Sequence, residues 1–440
     1  MENYLQHLKV LMNEKNNEEK RGIMIEQFEK LEEEPVWYSY FQRNKDDIIK
    51  GNIVNNIIIV LQYDSIFKNA FKFNVFTEEE IVDRDIKIYG AVISKGYLKD
   101  VDVAFIKNYL ERSYHFTTDT AKIYEAISYV SQLEENKFNP MIDYFNESEE
   151  NWDKIERSST FLPEYLGAEK TDITTLITEI FFIGAVAKAF NPFTKFDFSL
   201  DIVGDQGTGK TTLLKKLGGQ WYVDTIQNFK DKDEYAKMQR ALIVNDDEMQ
   251  ATNDSRFDVL KKFLSTESLE YRAPYAHKTV KHAKHFVIAR TSNQVDYLKD
   301  KTGNRRYLPI LSKRKNQVKH PYKDLTQAEV DQFWGEMVAK YKENGIKHPT
   351  LEQSESLQQH RENFVYVDEL ENLINEFLEH TDLDWVTSSD IAEAQLNNID
   401  LVRNQNISKQ ITNIMNNKQS WERKRISSGR GWKRVTANDT

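Results

Sequence analysis

Residues 204–212, GDQGTGKTT, restrict what this chain can fold into more than any other stretch. They follow the apolar run FDFSLDIV and lead into LLKKLG, so a strand must enter the turn and a helix must leave it. The pattern G-x-x-x-x-G-K-[ST] is met by Gly204, Gly209, Lys210 and Thr211, with Gly207 between them. Glycines let such a turn bend backwards and aim its N–H groups at phosphate oxygens. Thr208 and Thr212 complete the cradle, Lys210 is placed to reach the β- and γ-phosphates, and Thr211 to hold Mg2+. The expected ligand is ATP with Mg2+.

A chain of 440 residues has room for several domains. Its formal net charge of −10 argues against a surface that is basic throughout, which confines nucleic-acid contacts to local stretches. The absence of cysteine excludes disulfides, a thiolate zinc site and a cysteine nucleophile, and fits a reducing cytoplasm. The start, MENYLQHLKV, lacks the basic-then-apolar order of an export signal. The apolar runs NIIIVL and FFIGAVAKAF are too short to span a bilayer. A soluble, cytoplasmic protein without a membrane partner is expected.

Residues 1–165 read as a mostly helical N-terminal or collar module. Its first part is charged, and from Asn52 apolar residues recur at both strand-like and helix-like spacings, as in IVNNIIIVL and AKIYEAISYVSQL. Residues 166–320 form the ATPase domain, opened by the apolar core helix TDITTLITEIFFIGAVAKAF. From Phe196 to Ile310 strands then alternate with helices, the signature of a parallel sheet with crossover helices. Residues 321–380 supply a helical connector with amphipathic helices near Ala328–Tyr341 and Glu369–Glu379, and residues 381–440 a compact C-terminal domain.

The second acidic motif decides what a bound nucleotide is for. ALIVNDDEMQ, residues 241–250, is a buried strand whose carboxyl end carries Asp246, Asp247 and Glu248 to the glycine-rich turn. Asp247 is assigned to the Mg2+ shell and Glu248 to polarising the attacking water, although spacing alone does not separate Asp246 from Asp247. A third strand, KHFVIARTSNQ, ends in Asn293, which can orient that water. In TGNRRYLPI, Arg305 and Arg306 leave a turn as adjacent fixed charges; one of them is expected to act as an arginine finger on a neighbouring subunit's γ-phosphate. That role requires a homo-oligomeric ring.

Two stretches are locally basic. YRAPYAHKTVKHAKH reads as a β-hairpin whose Arg272, His277, Lys278, Lys281, His282 and Lys284 gather charge. There His277, Lys278 and Lys281 can grip the phosphates of one DNA strand. The end of the chain has the order of a winged helix. Ser388 or Ser389 caps one helix, Asn404–Asn417 forms a polar helix suited to a major groove, and GRG makes a tight turn between two strands. Lys409, Arg423, Lys424, Arg425 and Arg430 are its candidate contacts to double-stranded DNA, among a larger basic set that includes Lys418 and Arg434.

With these residues in place the chain resembles the virulence-associated E family of superfamily 3 helicases, found in prophages and phage-inducible chromosomal islands. The resemblance runs from about Phe71 to Ile310 through FNVFT, YLERSY, FNPMIDYF, EYLGAE, IGAVAKAF, KFDFSLDIVGDQGTGKTT, LKKFLSTESLEYRAPY and TGNRRYLPI. It implies an α/β AAA+-type P-loop ATPase core with the mostly helical N-terminal module and the C-terminal winged-helix domain around it. It further implies a hexameric ring, a single-strand-binding hairpin in its channel, 3′→5′ unwinding, and origin melting as a replication initiator that meets other replication proteins. The family commonly has glutamate where Asn245 stands, which leaves Glu248 as the matching acid. Asp100 and Asp102, spaced like a primase pair, are then residues that merely precede the helix VAFIKNYL. Two other readings stay open: a DNA-stimulated ATPase or helicase loader that does not separate strands, and a nucleotide-regulated DNA-binding switch.

Overall fold

The computed structural model describes residues 35–254, 257–271, 279–298, 303–366, 369–396, 405–416, 418, 420–426 and 429–435. It comprises two compact units: Met1–Asn151 with Gln239–Ala241, and Trp152–Met238 with Leu242–Thr440.

In the first unit the apolar run NIIIVL lies in the helix Val54–Tyr63, which buries Ile57, Val60 and Leu61 completely. It packs with the helices Asp100–Tyr114 and Thr120–Ser131, whose inward residues Val103, Ile106, Leu110, Ile123 and Ile127 recur at three- and four-residue intervals. Four short strands form a sheet in the order Gly96–Tyr97, Glu79–Val82, Phe71–Asn74, Lys137–Phe138, and Ile86–Ile88 pairs separately with Ala91–Ile93. Asp100 and Asp102 lie inside the first turn of their helix rather than before it. Asp102 accepts from the Lys99 N–H at 2.9 Å and Asp100 from the Tyr124 hydroxyl at 2.6 Å, so both are used by the fold.

The second unit is built on five strands in the order Tyr307–Ser312, Ser199–Gly204, Val287–Ser292, Ile243–Asp246, Tyr222–Val223, every adjacent pair parallel. The central three are buried throughout, which explains their nearly continuous apolar character. One buried pair interrupts it: Arg290 faces Asp201 across neighbouring strands, and both side chains are fully buried. Ser199 Oγ donates to Asp201 at 2.7 Å, and the Tyr297 hydroxyl and Arg290 donate to the same carboxylate. Removing one partner of such a pair costs about 3–5 kcal/mol, because the other charge is left buried alone.

The helix Asp172–Phe190 is long and apolar enough to cross a membrane by composition, but it is a core helix here, with Ile177, Ile180, Phe181 and Phe182 completely buried. Phe182 packs edge-on to Phe333 and Trp334 of the helix Gln327–Asn344 at 4.9 and 5.6 Å. The Trp334 indole donates to Leu217 O at 3.0 Å, fastening that helix behind the glycine-rich turn. A further helix, Leu351–Glu362, is not announced by the sequence, because Leu357 and Arg361 are its only buried residues and leave no apolar period.

The C-terminal residues form a separate small core of Ile374, Val386, Ile391, Ile411, Met415, Trp421 and Trp432. Ile374 belongs to the helix Glu369–His380, which sequence patterning assigns to the connector instead. The helices Ser388–Leu396 and Gln405–Asn416 follow, with strands ordered Trp385–Val386, Gly429–Arg434, Trp421–Ile426. Thr387, not Ser388 or Ser389, caps the first of these helices: its hydroxyl accepts from the Asp390 N–H at 3.2 Å, and Asp390 accepts from the Thr387 N–H at 2.7 Å. The reciprocal pair needs an acid three residues on, which only Thr387 has. GRG is not the turn, because Gly429–Arg434 is already strand, paired from Ile426↔Gly429. Gly431 is small because a Cβ there would lie 2.4 Å from Val386 O.

Candidate functional site

Three neighbouring parallel strands deliver Gly204, Asp246 and Ser292 to one edge of the sheet, the edge at which open α/β sheets bind ligands. The glycine-rich turn bends there through left-handed backbone at Gly204, Gly207 and Gly209, with φ of +116°, +79° and +84°. At Gly204 space is also short, since a Cβ would lie 2.4 Å from Ser312 O. The helix Lys210–Gly218 then points its unpaired N–H groups at the turn.

Lys210 is buried. Its ammonium donates to Gly204 O at 3.1 Å, Asp205 O at 3.0 Å and Asn293 Oδ1 at 2.8 Å. Burial holds its pKa below the ordinary lysine value, opposed by Glu248, Asp205 and Asp247. Thr208, fully buried, lies 3.2 Å from both Asp205 O and Ser312 Oγ, while Thr212 is half-buried in the first turn of the helix.

The acidic motif divides by direction. Asp247 Oδ1 accepts from Thr211 Oγ1 at 2.7 Å and from Thr291 Oγ1 at 2.6 Å, with Asn245 Nδ2 at 3.4 Å. Asp246 turns the other way, accepting from the Ala251 and Thr252 N–H groups at 2.8 and 2.9 Å and from the Thr252 hydroxyl. It caps the short helix behind the strand, and burial raises its pKa. Glu248 adopts left-handed backbone, φ 51° and ψ 21°, followed by Met249 at φ 52°. Such conformations cost about 1–3 kcal/mol each in non-glycine residues and persist where surrounding structure enforces them. The outcome is that Glu248 Oε1 accepts from Asn293 Nδ2 at 3.1 Å. Asn293 therefore spans Lys210 and Glu248. A hydroxyl and a carboxylate 2.7 Å apart, Thr211 and Asp247, form the hard-oxygen donor set that suits Mg2+.

Sequence reasoning missed several neighbours. The Arg314 N–H donates to Asp205 Oδ2 at 2.9 Å, Gln317 Nε2 donates to Thr208 O at 2.8 Å, and His320 Nε2 lies 3.2 Å from Gly207 O. Their segment, SKRKNQVKH, reads as an ordinary exposed basic loop. Arg361 is a second omission: Nε donates to Tyr307 O at 2.7 Å and Nη2 to Arg305 O at 2.8 Å, pinning the turn that carries the paired arginines. Burial pulls its pKa down to about 10. Arg305 is exposed with no side-chain partner among the described residues, whereas Arg306 is engaged within the chain.

Of the basic candidates, His277 and Lys278 lie outside the described residues. Lys281 is exposed on an antiparallel hairpin of Ser268–Tyr271 with Val280–Ala283, inserted before the strand Val287–Ser292. Lys284 is not on that basic surface: it is buried, and its ammonium donates to Phe263 O at 3.0 Å and Leu264 O at 2.8 Å. In the C-terminal core, Lys409, Arg423, Lys424, Arg425 and Arg430 are exposed, and Arg425 stands opposite Arg430 across the strand pair. Lys418 and Arg434 serve the fold instead, Lys418 pairing with Glu371 at 2.9 Å and Arg434 donating to Thr381 O at 2.7 Å.

A family model described as the virulence-associated protein E-like domain matches residues 147–366, half of the 440-residue chain. Among solved structures, the A-form apo structure of the NrS-1 C-terminal region is 15% identical, with 86% of this chain and 99% of that chain covered and a TM-score of 0.37. A second apo structure of that region is 14% identical, covering 83% of this chain and 96% of that one at a TM-score of 0.35. Curated protein sequences return no match.

Proposed function

This chain belongs to the virulence-associated protein E-like family, and on that footing we propose that it is an ATP-dependent DNA helicase that initiates replication of a mobile genetic element. The observation that carries the reading is the pair of contacts across three strand ends, Thr211–Asp247–Thr291 and Lys210–Asn293–Glu248. The parallel sheet supports an AAA+-type core, and the helix and strand order after Glu369 supports a winged helix.

Under this reading the loop N–H groups and Lys210 bind the triphosphate, and Thr211 with Asp247 would hold Mg2+. The ion would neutralise charge on the phosphate oxygens. Glu248 accepts a proton from the attacking water and polarises it, while Asn293 fixes the Glu248 carboxylate and joins it to Lys210. Arg305, exposed and held by its backbone, reaches the γ-phosphate of a neighbouring copy in a hexameric ring. DNA meets Lys281 of the hairpin, with His277 and Lys278, and the basic strands of the C-terminal module. Like charges directly opposite, as at Arg425 and Arg430, are unfavourable until an anion lies between them, and DNA phosphates provide one. Unwinding must offset stacking of about 1.4 kcal/mol per base-pair step, which repeated hydrolysis can supply.

The test is a forked duplex with labelled strands. ATP-dependent separation that Lys210→Ala abolishes is expected; DNA-stimulated hydrolysis without separation would replace the helicase with a loader.

A further inference from the structure

The two adjacent arginines leave their turn in opposite directions. Arg305 faces outward, whereas Arg306 Nε donates to Ser265 Oγ at 3.0 Å and lies 3.5 Å from Asp197 Oδ2. Ser265 Oγ donates in turn to Lys261 O at 3.1 Å, on the helix Phe257–Ser265. The turn meets that helix a second time: a Cβ built on Gly303 would lie 2.3 Å from Lys261 Cε. The same end of that helix is also fastened to the root of the basic hairpin. Lys284 closes the hairpin by donating its N–H to Glu267 O at 2.9 Å, and its buried ammonium caps the helix through Phe263 O and Leu264 O. The first hairpin strand begins at Ser268, three residues beyond Ser265.

We infer that Arg306 is a positioning residue that ties the turn carrying Arg305 to the root of the DNA hairpin through Ser265. The inference deepens the proposed function and rests on it. A displacement of Arg305 at a neighbouring copy's nucleotide is passed by a planar guanidinium to a helix end that a buried ammonium holds stiff. The hairpin starts where that helix stops. Adjacent arginines thus have separate tasks: one reads the nucleotide across a seam, and the other delivers the result to the same chain's DNA contact.

The chain has no cysteine, so a single cysteine in place of Glu270, exposed opposite Lys281 on the hairpin, gives a unique fluorophore site on the full-length protein. Wild type, Ser265→Ala, Arg306→Ala and the double variant are compared for stimulation of ATP turnover by single-stranded DNA and for the probe's response to ATP. Ser265→Ala, an exposed and mild change, is expected to keep turnover without DNA while losing the stimulation and the probe response by about five- to tenfold. The double variant is expected to lose no more than either single one, as members of one link do. Wild-type stimulation and probe response in Ser265→Ala, or losses that multiply in the double variant, would overturn the link. Absence of ATP turnover in the wild type would instead remove the reading beneath it, and the two failures are distinguished by which protein shows them.

Discussion

The cleft around Lys210 and the basic strands near Arg430 are both polar, yet they are organised in opposite ways. In the cleft nearly every functional group is held by another: Lys210 by two carbonyls and Asn293, Asp247 by two hydroxyls, Glu248 by Asn293. On the basic strands Arg423, Lys424, Arg425 and Arg430 are exposed, with no side-chain partner among the described residues. Chemistry on a phosphoanhydride needs groups fixed before the substrate arrives, since reorganising them during reaction raises the barrier. Neutralising a polyanion needs accessible charge and tolerates loose geometry. The difference separates where this molecule is expected to react from where it is expected to hold.

The comparison breaks first at Glu248. Glu248→Gln should cut ATP turnover by about 10²- to 10⁴-fold, the span of general-base contributions, while a fluorescent ATP analogue still binds. Phosphate release within tenfold of wild type would place the base elsewhere. The two neighbouring aspartates sharpen it next. Asp247→Ala should abolish the Mg2+ dependence of nucleotide binding, whereas Asp246→Ala should mainly lower the melting temperature through loss of a cap worth about 0.5–2 kcal/mol; reversed phenotypes would mean the strand end is misassigned. On the basic strands, Arg423→Ala with Arg430→Ala should weaken duplex binding and reduce the slope of log K against log salt by about 0.9 for each phosphate left without its arginine. An unchanged slope would remove those side chains from the DNA surface.

The smallest expected effect is on stability. Burial lowers the pKa of Lys284 to about 7 and that of Lys188 to about 8, from an ordinary 10.5. The unfolded chain therefore holds more protons than the folded one across that interval, and stability rises as pH increases from about 7 towards 10. The melting temperature should climb between pH 7 and 9, and Lys284→Met should flatten the climb. A fall in that range would contradict the burial of both ammonium groups.

Much of the cleft is legible in the amino-acid sequence. Gly204, Gly207 and Gly209 announce a turn only positive φ allows, and the apolar runs before Gly204, Asp246 and Ser292 announce buried strands. Arg361 was not legible, because its polar helix carries no apolar period and its role is to donate to backbone carbonyls of a distant turn. Nor was Lys284 separable from the exposed charges around it, since a charge pattern does not say which ammonium finds two carbonyls inside.

The order of residues alone determined a parallel sheet, a glycine-rich turn on it, and which three strand ends would carry polar groups, because periodicity and backbone sterics act over a few neighbours. Tertiary structure alone decided that Asp247 rather than Asp246 meets Thr211, and that Arg305 faces outward while Arg306 turns back to Ser265. Adjacent residues of one type have the same local preferences. Only partners brought from elsewhere in the chain, Thr252 for one aspartate and Ser265 for one arginine, make them different.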